Sequence, residues 1–283
     1  MTSTVATASP KPSRGRIESG RPMAALAVAA ALILGLPIAA LVVRAVLDGS
    51  LVTAAGMPVV VNALVLSLCT TTISLVVMVL LGTPLALLLA RRRFRGSLLL
   101  ETVIDLPIVL PPSVAGLALL LLLGRNGVLG APLHALGIEL PFTTAAVVVA
   151  QSFVAAPFFI RSARTGFAGV DHDLEDAARV DGASELALFR RITVPLASSA
   201  LAAGLVMAWA RALGEFGATI MFAGNVEGHT QTLPLVVYSE FQAGNLDTSV
   251  AAAAILVLAA FGVLVAVRLL HWGRILDVRS VAG

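Results

Sequence analysis

The chain has 283 residues, of which 58% are hydrophobic and 12% charged, and a mean hydropathy of +0.98; this is more apolar surface than one water-soluble core can bury, so the composition points to an integral membrane protein of all-α class. The net charge is only +3 despite a pI near 10.0, and no basic run is interleaved with aromatics, which argues against a nucleic-acid partner. A single cysteine, Cys69, precludes an intramolecular disulfide and a thiolate metal cluster. The four histidines, His134, His172, His229 and His271, are dispersed without a pair at helical ligand spacing.

A helix crossing a hydrocarbon layer about 30 Å thick needs about 20 mainly apolar residues. Six segments qualify: 23–45, 60–90, 100–123, 142–160, 196–221 and 249–270. Residues 1–22, rich in Ser, Thr, Pro and Arg, read as a disordered cytoplasmic tail. The first span is too long for the apolar part of a signal peptide and has no small-x-small cleavage site before Arg44, so it is expected to remain as an uncleaved helix. The second carries Gly82-Thr83-Pro84, a kink or exit signal, and reads as one tilted helix continuing toward Arg91.

The third span contains Asp105, Pro107 and the Pro111-Pro112 pair. Prolines free backbone carbonyls that neighbours must satisfy, so this helix is either broken where it lines a central path or simply kinked. The fifth contains Arg211 and Glu215, one helical turn apart. Charges at that depth cost about 2.5–3.5 kcal/mol on insertion scales; the two form either a translocation-path or gating pair or a structural ion pair near the outer interface. Because Arg before Glu is the weaker order on an isolated helix, tertiary partners are expected. Between the fifth and sixth spans, TQTLPLVVYSEF reads as a short re-entrant or surface helix.

Alternation of six spans puts 16 of the 19 Lys and Arg residues on one face, and cytoplasmic loops are enriched in them. Both termini are therefore expected in the cytoplasm, as is the segment 161–195 between the fourth and fifth spans. This segment is ordered rather than a plain solvated connection. Asp171, Asp173, Glu175 and Asp176 crowd the start of a helix-compatible stretch, where the helix dipole favours anions, and Arg179 falls later. Gly182 interrupts; residues 184–192 are helix-compatible again, pairing Leu186 with Phe189 and Leu188 with Ile192 on shared faces, and Pro195 suits the first turn of the next membrane helix. Two short helices about a glycine make a shaped surface suited to a partner.

These residues resemble the loop motif of the membrane subunits of ATP-binding-cassette (ABC) importers: Glu-Ala-Ala, three residues, Gly, nine residues, Ile-x-Leu-Pro. Here the positions are Asp176-Ala177-Ala178, Gly182 and Ile192-Thr193-Val194-Pro195, with Asp176 standing for Glu and Val194 for Leu. The resemblance implies a type I ABC importer permease fold of six transmembrane helices. It also implies that the loop docks on a cytoplasmic ATPase dimer that uses ATP and magnesium, with Ala177, Ala178 and Gly182 permitting close approach. This chain holds no phosphate-binding loop, since its only lysine, Lys11, is followed by Pro12 in the N-terminal tail, and it has no nucleophile elbow or metalloprotease motif. It is expected to bind no cofactor or metal and to carry no catalytic residue.

The stretches 105–130 and 212–245, with GEFGATIMFAGN and TQTLPL, are similar to the molybdate branch of the oxyanion permeases, sulfate and thiosulfate permeases being close relatives. That similarity implies a multi-pass permease in a bacterial cytoplasmic membrane, paired with a second copy of itself, surrounded by lipid and fed by an extracytoplasmic oxyanion-binding protein that meets 224–248. A sulfate or thiosulfate permease is the alternative. A stand-alone secondary transporter is a third reading, to which the ordered loop would be of no use.

Overall fold

The computed structural model describes residues 21–92 and 94–281, with side chains over 23–92, 94–267 and at 269. The expected tail 1–22 therefore lies outside the described residues except for its last two positions, as do the side chains of Arg268, His271, Arg274 and Arg279. Regular structure among the described residues is helical: α1 (Arg21–Leu47), α2 (Ser50–Ala55), α3 (Pro58–Arg91), α4 (Ser97–Val109), α5 (Pro112–Leu123), α6 (Gly130–Ala135) and α7 (Thr144–Ala168), followed by α8 (His172–Val180) and α9 (Glu185–Leu188). A π-helical turn (Phe189–Thr193) then leads through α10 (Val194–Leu196) to α11 (Ser198–Leu213), α12 (Gly217–Phe222), α13 (Leu233–Gln242) and α14 (Leu246–Val281). Four of these helices are long and apolar enough to cross a membrane, and up to six spans result if each of two bent pairs counts as one.

The chain divides into two units, 1–41 and 42–283. In the first, α1 is one apolar helix that accommodates Pro37. In the second, α3 and α7 form the centre. The buried positions of α3 (Val60, Ala63, Ser67, Thr70, Thr71, Ser74, Met78, Gly82, Ala86 and Leu89) follow the helical repeat and make one stripe, rich in small and hydroxyl side chains. In a bilayer, lipid tails are as apolar as leucine, so close packing and interhelical hydrogen bonds drive association. Gly82 illustrates the fit: a Cβ there would stand 3.0 Å from Cδ1 of Phe159 and 3.1 Å from Cγ1 of Ile160. Polar bonds tie the same stripe to α7 and to α13. Ser74 Oγ donates to Gln151 Oε1 (3.0 Å), Gln151 Nε2 donates to Thr71 Oγ1 (3.4 Å), and Ser67 Oγ accepts from the Leu233 amide at the start of α13 (2.7 Å).

Helix α11 lies against the other side of α7. Ser162 Oγ donates to the Ala200 carbonyl (2.6 Å), and Gly204 and Gly166 face Ser162 and Ala200 with no room for a side chain. The segment expected as a re-entrant or surface helix is α13, whose Leu233, Leu235 and Val236 are fully buried; Leu233 and Val236 share a core with Val60 and Ala63 of α3 and Ala251 and Ala252 of α14.

Two expected spans depart from single straight helices. The third, 100–123, is α4 and α5 joined at a bend of 118°. Leu110 and Pro111 both take extended backbone conformations, because a residue before proline is pushed out of the α region and neither proline of the pair has an amide to continue the ladder. The fifth, 196–221, is interrupted between α11 and α12 at residues 214–216, and α11 itself meets the preceding Glu185–Leu196 segment at 74°. Pro195 thus sits in the last turn before that bend rather than in the first turn of the membrane helix. Its ring also crowds the carbonyl four residues back, and the helix widens there into the π turn, with the Val194 amide reaching the Phe189 carbonyl. The fourth span is longer than expected: α7 continues through Ala168, so 161–168 is helix and the polar connection starts at Gly169.

Candidate functional site

The polar segment folds by local rules. Asp171 caps α8, its carboxylate accepting from the Asp173 amide (3.0 Å). At the other end, the Gly182 amide donates to the Arg179 carbonyl (3.0 Å) and the Ala183 amide to the Ala178 carbonyl (2.9 Å). This is a Schellman closure, which needs a left-handed residue, and Gly182 supplies it with φ of 86°. Ser184 then caps α9 by accepting from the Ala187 amide (3.3 Å). Arg179 spans the turn: Nε donates to Glu185 Oε1 (2.8 Å) and its first amino nitrogen to Asp176 Oδ1 (2.7 Å). The guanidinium holds the Glu185 carboxyl below its ordinary range, and the two carboxylates push Arg179 further up.

The six predicted loop residues fall in two environments. Asp176, Ala177 and Gly182 are exposed and Ala178 partly so, with Ile192 partly buried and Pro195 exposed. The two helices that flank Gly182 carry exposed apolar side chains among their charges, with Leu174 51% exposed, Val180 88% and Leu186 65%. No atom lies within 4 Å of a Cβ built on Gly182, so nothing within the chain restricts its approach to another molecule. Leu186 and Phe189, expected on one face, part: Leu188 is buried and Phe189 leans on Phe167 with ring centroids 6.2 Å apart, while Leu186 points outward.

Sequence reasoning counts Glu175 as one of several dipole-complementing acids and misses its position. It is 3% exposed. Its Oε1 accepts from Arg91 (2.5 Å), the last residue of α3, and from Thr193 Oγ1 (2.7 Å) in the π turn, while His172 lies 3.0 Å from the same guanidinium through Nδ1. The only signal lies in the spacing: Glu175 and Asp176 are consecutive, and on a helix that single step is about 100° of rotation, the difference between facing inward and outward.

Asp105 is not an isolated polar group in a span. Arg161 Nε lies 2.9 Å from Asp105 Oδ1, and one turn along each helix Arg164 lies 2.8 Å from Glu101 Oε2. The second pair escapes the sequence reading, although 101 and 105, and 161 and 164, stand at helical spacings. Arg211 and Glu215 do meet, at 2.6 Å. Glu215 lies beyond the end of α11, however, 1% exposed in the break, and its other oxygen accepts from the Ala218 amide of α12 (2.7 Å). The further partner of this pair is therefore local, the backbone amide three residues on that opens α12, rather than the tertiary partner expected from the sequence. Among the described residues no three His, Cys, Asp or Glu side chains cluster as metal ligands.

A bundle of apolar helices tied by hydroxyl-bearing crossings, with an ordered polar loop between two of them, is the architecture of a multi-pass membrane protein. Residues 82–272 match the model of the family described as binding-protein-dependent transport system inner membrane component, and the chain belongs to that family. It is similar to the molybdenum transport system permease protein ModB of Mycobacterium tuberculosis, 45% identical over 199 residues that cover 70% of this chain and 75% of that protein. It is also similar to the putative molybdenum transport system permease protein YvgM of Bacillus subtilis, 44% identical over 183 residues, 64% of this chain and 80% of that one. Its fold is that of a solved bacterial ABC transporter involved in the import of the acidic polysaccharide alginate, with a TM-score of 0.70 at 18% identity over 89% of this chain and 94% of the other. The chain is accordingly a multi-pass permease of the inner membrane and not an enzyme; ATP hydrolysis belongs to a partner subunit. Family membership also removes the stand-alone transporter reading.

Proposed function

We propose that this chain is the permease of a molybdate importer, with six transmembrane spans, a type I importer fold and both termini in the cytoplasm. Residues 1–22 form a cytoplasmic tail, residues 23–283 the permease proper, and the segment 161–195 couples it to an ATPase dimer. The observation that carries this reading is the pair of helices closed about Gly182, which presents Leu174, Val180 and Leu186 outward while Leu188 and Glu175 face the body of the protein. Exposed Leu174, Val180 and Leu186 interspersed with Asp176, Arg179 and Glu185 are what a protein partner can cover, the apolar side chains giving affinity and the charges orientation. The names of the two relatives favour molybdate over the sulfate or thiosulfate alternative.

The mechanism follows from connectivity. Helix α7 enters the loop and α10–α11 leave it, so a displacement of α8 and α9 by closure of the ATPase dimer tilts both. Helix α11 ends at the Arg211–Glu215 break, and its movement changes the path lined there and at the α4–α5 bend near Asp105. A permanently unpaired cation at that depth would hold a dianion too firmly to release it. The Arg211–Glu215 pair leaves little net charge, consistent with selection by an extracytoplasmic binding protein. The complete importer contains two copies of this chain, two ATPase subunits and that binding protein.

The test is reconstitution of the chain with its cognate P-loop ATPase and extracytoplasmic binding protein, measuring ATP hydrolysis and uptake with molybdate and with sulfate. Molybdate is expected to stimulate both, and Gly182→Leu to abolish the stimulation. Unchanged stimulation in Gly182→Leu refutes the coupling assignment, and preferential stimulation by sulfate refutes the substrate.

A further inference from the structure

We infer that Arg91, Glu175 and Thr193 form a joint that transmits movement of the loop to α3, the helix at the centre of the bundle, and that Glu175 is its positioning residue. The inference rests on the coupling role proposed for the loop. Its starting point is an asymmetry among the loop acids: Asp171, Asp173, Asp176, Asp181 and Glu185 are all exposed, and Glu175 alone is buried. The exposed charges are served within the loop, Arg179 by Asp176 and Glu185, so those bonds travel with α8 and α9 and transmit nothing. Glu175 instead gathers three segments far apart in sequence: the end of α3 through Arg91, the middle of α8, and the π turn through Thr193.

The chemistry of the contact suits a joint. A carboxylate out of water cannot give up its partners one at a time without being left uncompensated, and a charge-assisted bond to a planar guanidinium is directional. Displacement of α8 therefore pulls Arg91 with it instead of being lost as slack. Elsewhere α3 meets the elements flanking the loop along its length, through α7 and α11; Arg91–Glu175 is the charged contact that ties its end to α8 itself. The acid at the motif position, Asp176, performs no such task; it points outward and pairs with Arg179.

The experiment uses the assembled importer in proteoliposomes and reads molybdate imported per ATP hydrolysed, with co-purification of the ATPase subunit as the measure of assembly. Glu175→Gln, which keeps the shape and an acceptor for Thr193 but removes the charge, is expected to lower transport per ATP at least tenfold in a complex that still assembles. Arg91→Glu with Glu175→Arg is expected to restore a substantial part of it, a rescue that loss of packing alone would not give. Glu101→Gln, which breaks a different ion pair on the same side, is expected to leave the ratio within twofold. An unchanged ratio in assembled Glu175→Gln overturns the joint. Should that variant fail to assemble, Thr193→Val decides: a reduced ratio supports the joint and a normal one overturns it. If Gly182→Leu uncouples the complex while Glu175→Gln does not, the joint alone is wrong; if Gly182→Leu is also silent, the loop assignment falls with it.

Discussion

The crossing of α7 and α11 sets a sign that can be measured. At Gly204 an added Cβ would stand 2.8 Å from Ser162 Cβ and 3.3 Å from the Phe159 carbonyl oxygen, whereas carbon atoms pack best at about 3.5–4.0 Å. Gly204→Ala must therefore part the helices by about 1 Å. Overpacking of this kind costs about 1–3 kcal/mol, and the short bond from Ser162 Oγ to the Ala200 carbonyl is weakened with it, worth about 0.6 kcal/mol between membrane helices. Against this stands the gain of about 1 kcal/mol from replacing glycine inside a helix. The balance is a net loss of about 1–2 kcal/mol. Gly262 on α14 is the control: nothing lies within 4 Å of a Cβ built there, so Gly262→Ala keeps only the propensity gain. Equilibrium unfolding in mixed micelles, titrated with a denaturing detergent, should shift in opposite directions for the two variants. A stabilised Gly204→Ala would refute the close crossing and the tight connection of both helices to the loop between them.

The break after α11 gives a second prediction. Arg211→Met leaves the buried Glu215 carboxylate without its partner and should cost about 3–5 kcal/mol, whereas Arg211→Met with Glu215→Gln keeps an acceptor for the Ala218 amide and should restore most of that stability. Normal uptake by the double variant would remove the pair from the translocation path. The third prediction concerns Glu185, whose carboxyl Arg179 holds below its ordinary value of 4.5. Because its folded value is the lower one, its contribution is complete above about pH 4.5 and is lost as the pH falls through the lowered value. Carbon-13 titration of the full chain should find that Arg179→Ala raises the Glu185 midpoint toward 4.5, and high salt should do the same in part. An unmoved midpoint would show that the pair does not form in solution.

Features carried by local pattern are legible in the sequence. The long apolar run of α3 makes one continuous helix, and Asp171, Gly182 and Ser184 mark the ends of the loop helices by capping chemistry alone. Features that depend on what meets what are not legible there. Pro111-Pro112 reads equally as a kink or a break, because the direction taken after the break is decided by α5 packing on α12, where Gly116 lets the Ala218 carbonyl come within 2.6 Å of where its Cβ would stand. Glu215 reads as a helical neighbour of Arg211 because its spacing of four suits one helix, and Gly214, which caps the helix end at Leu213, can also be read as a tolerated glycine inside an apolar span. Asp176 draws the eye ahead of Glu175 because the partners of Glu175 lie 84 residues before it and 18 after it, beyond the reach of any local rule.

The hydroxyl stripe of α3 has a mechanical consequence. Ser74 and Thr71 meet Gln151, and Ser67 meets the Leu233 amide, at depths where no water replaces a lost partner. Turning α3 about its own axis by a single residue would strand a primary amide and a peptide N–H in an apolar interior, at several kcal/mol apiece. Helices α3, α7 and α13 are consequently locked in rotational phase like meshed gears, and any axial turn of one has to carry the other two with it.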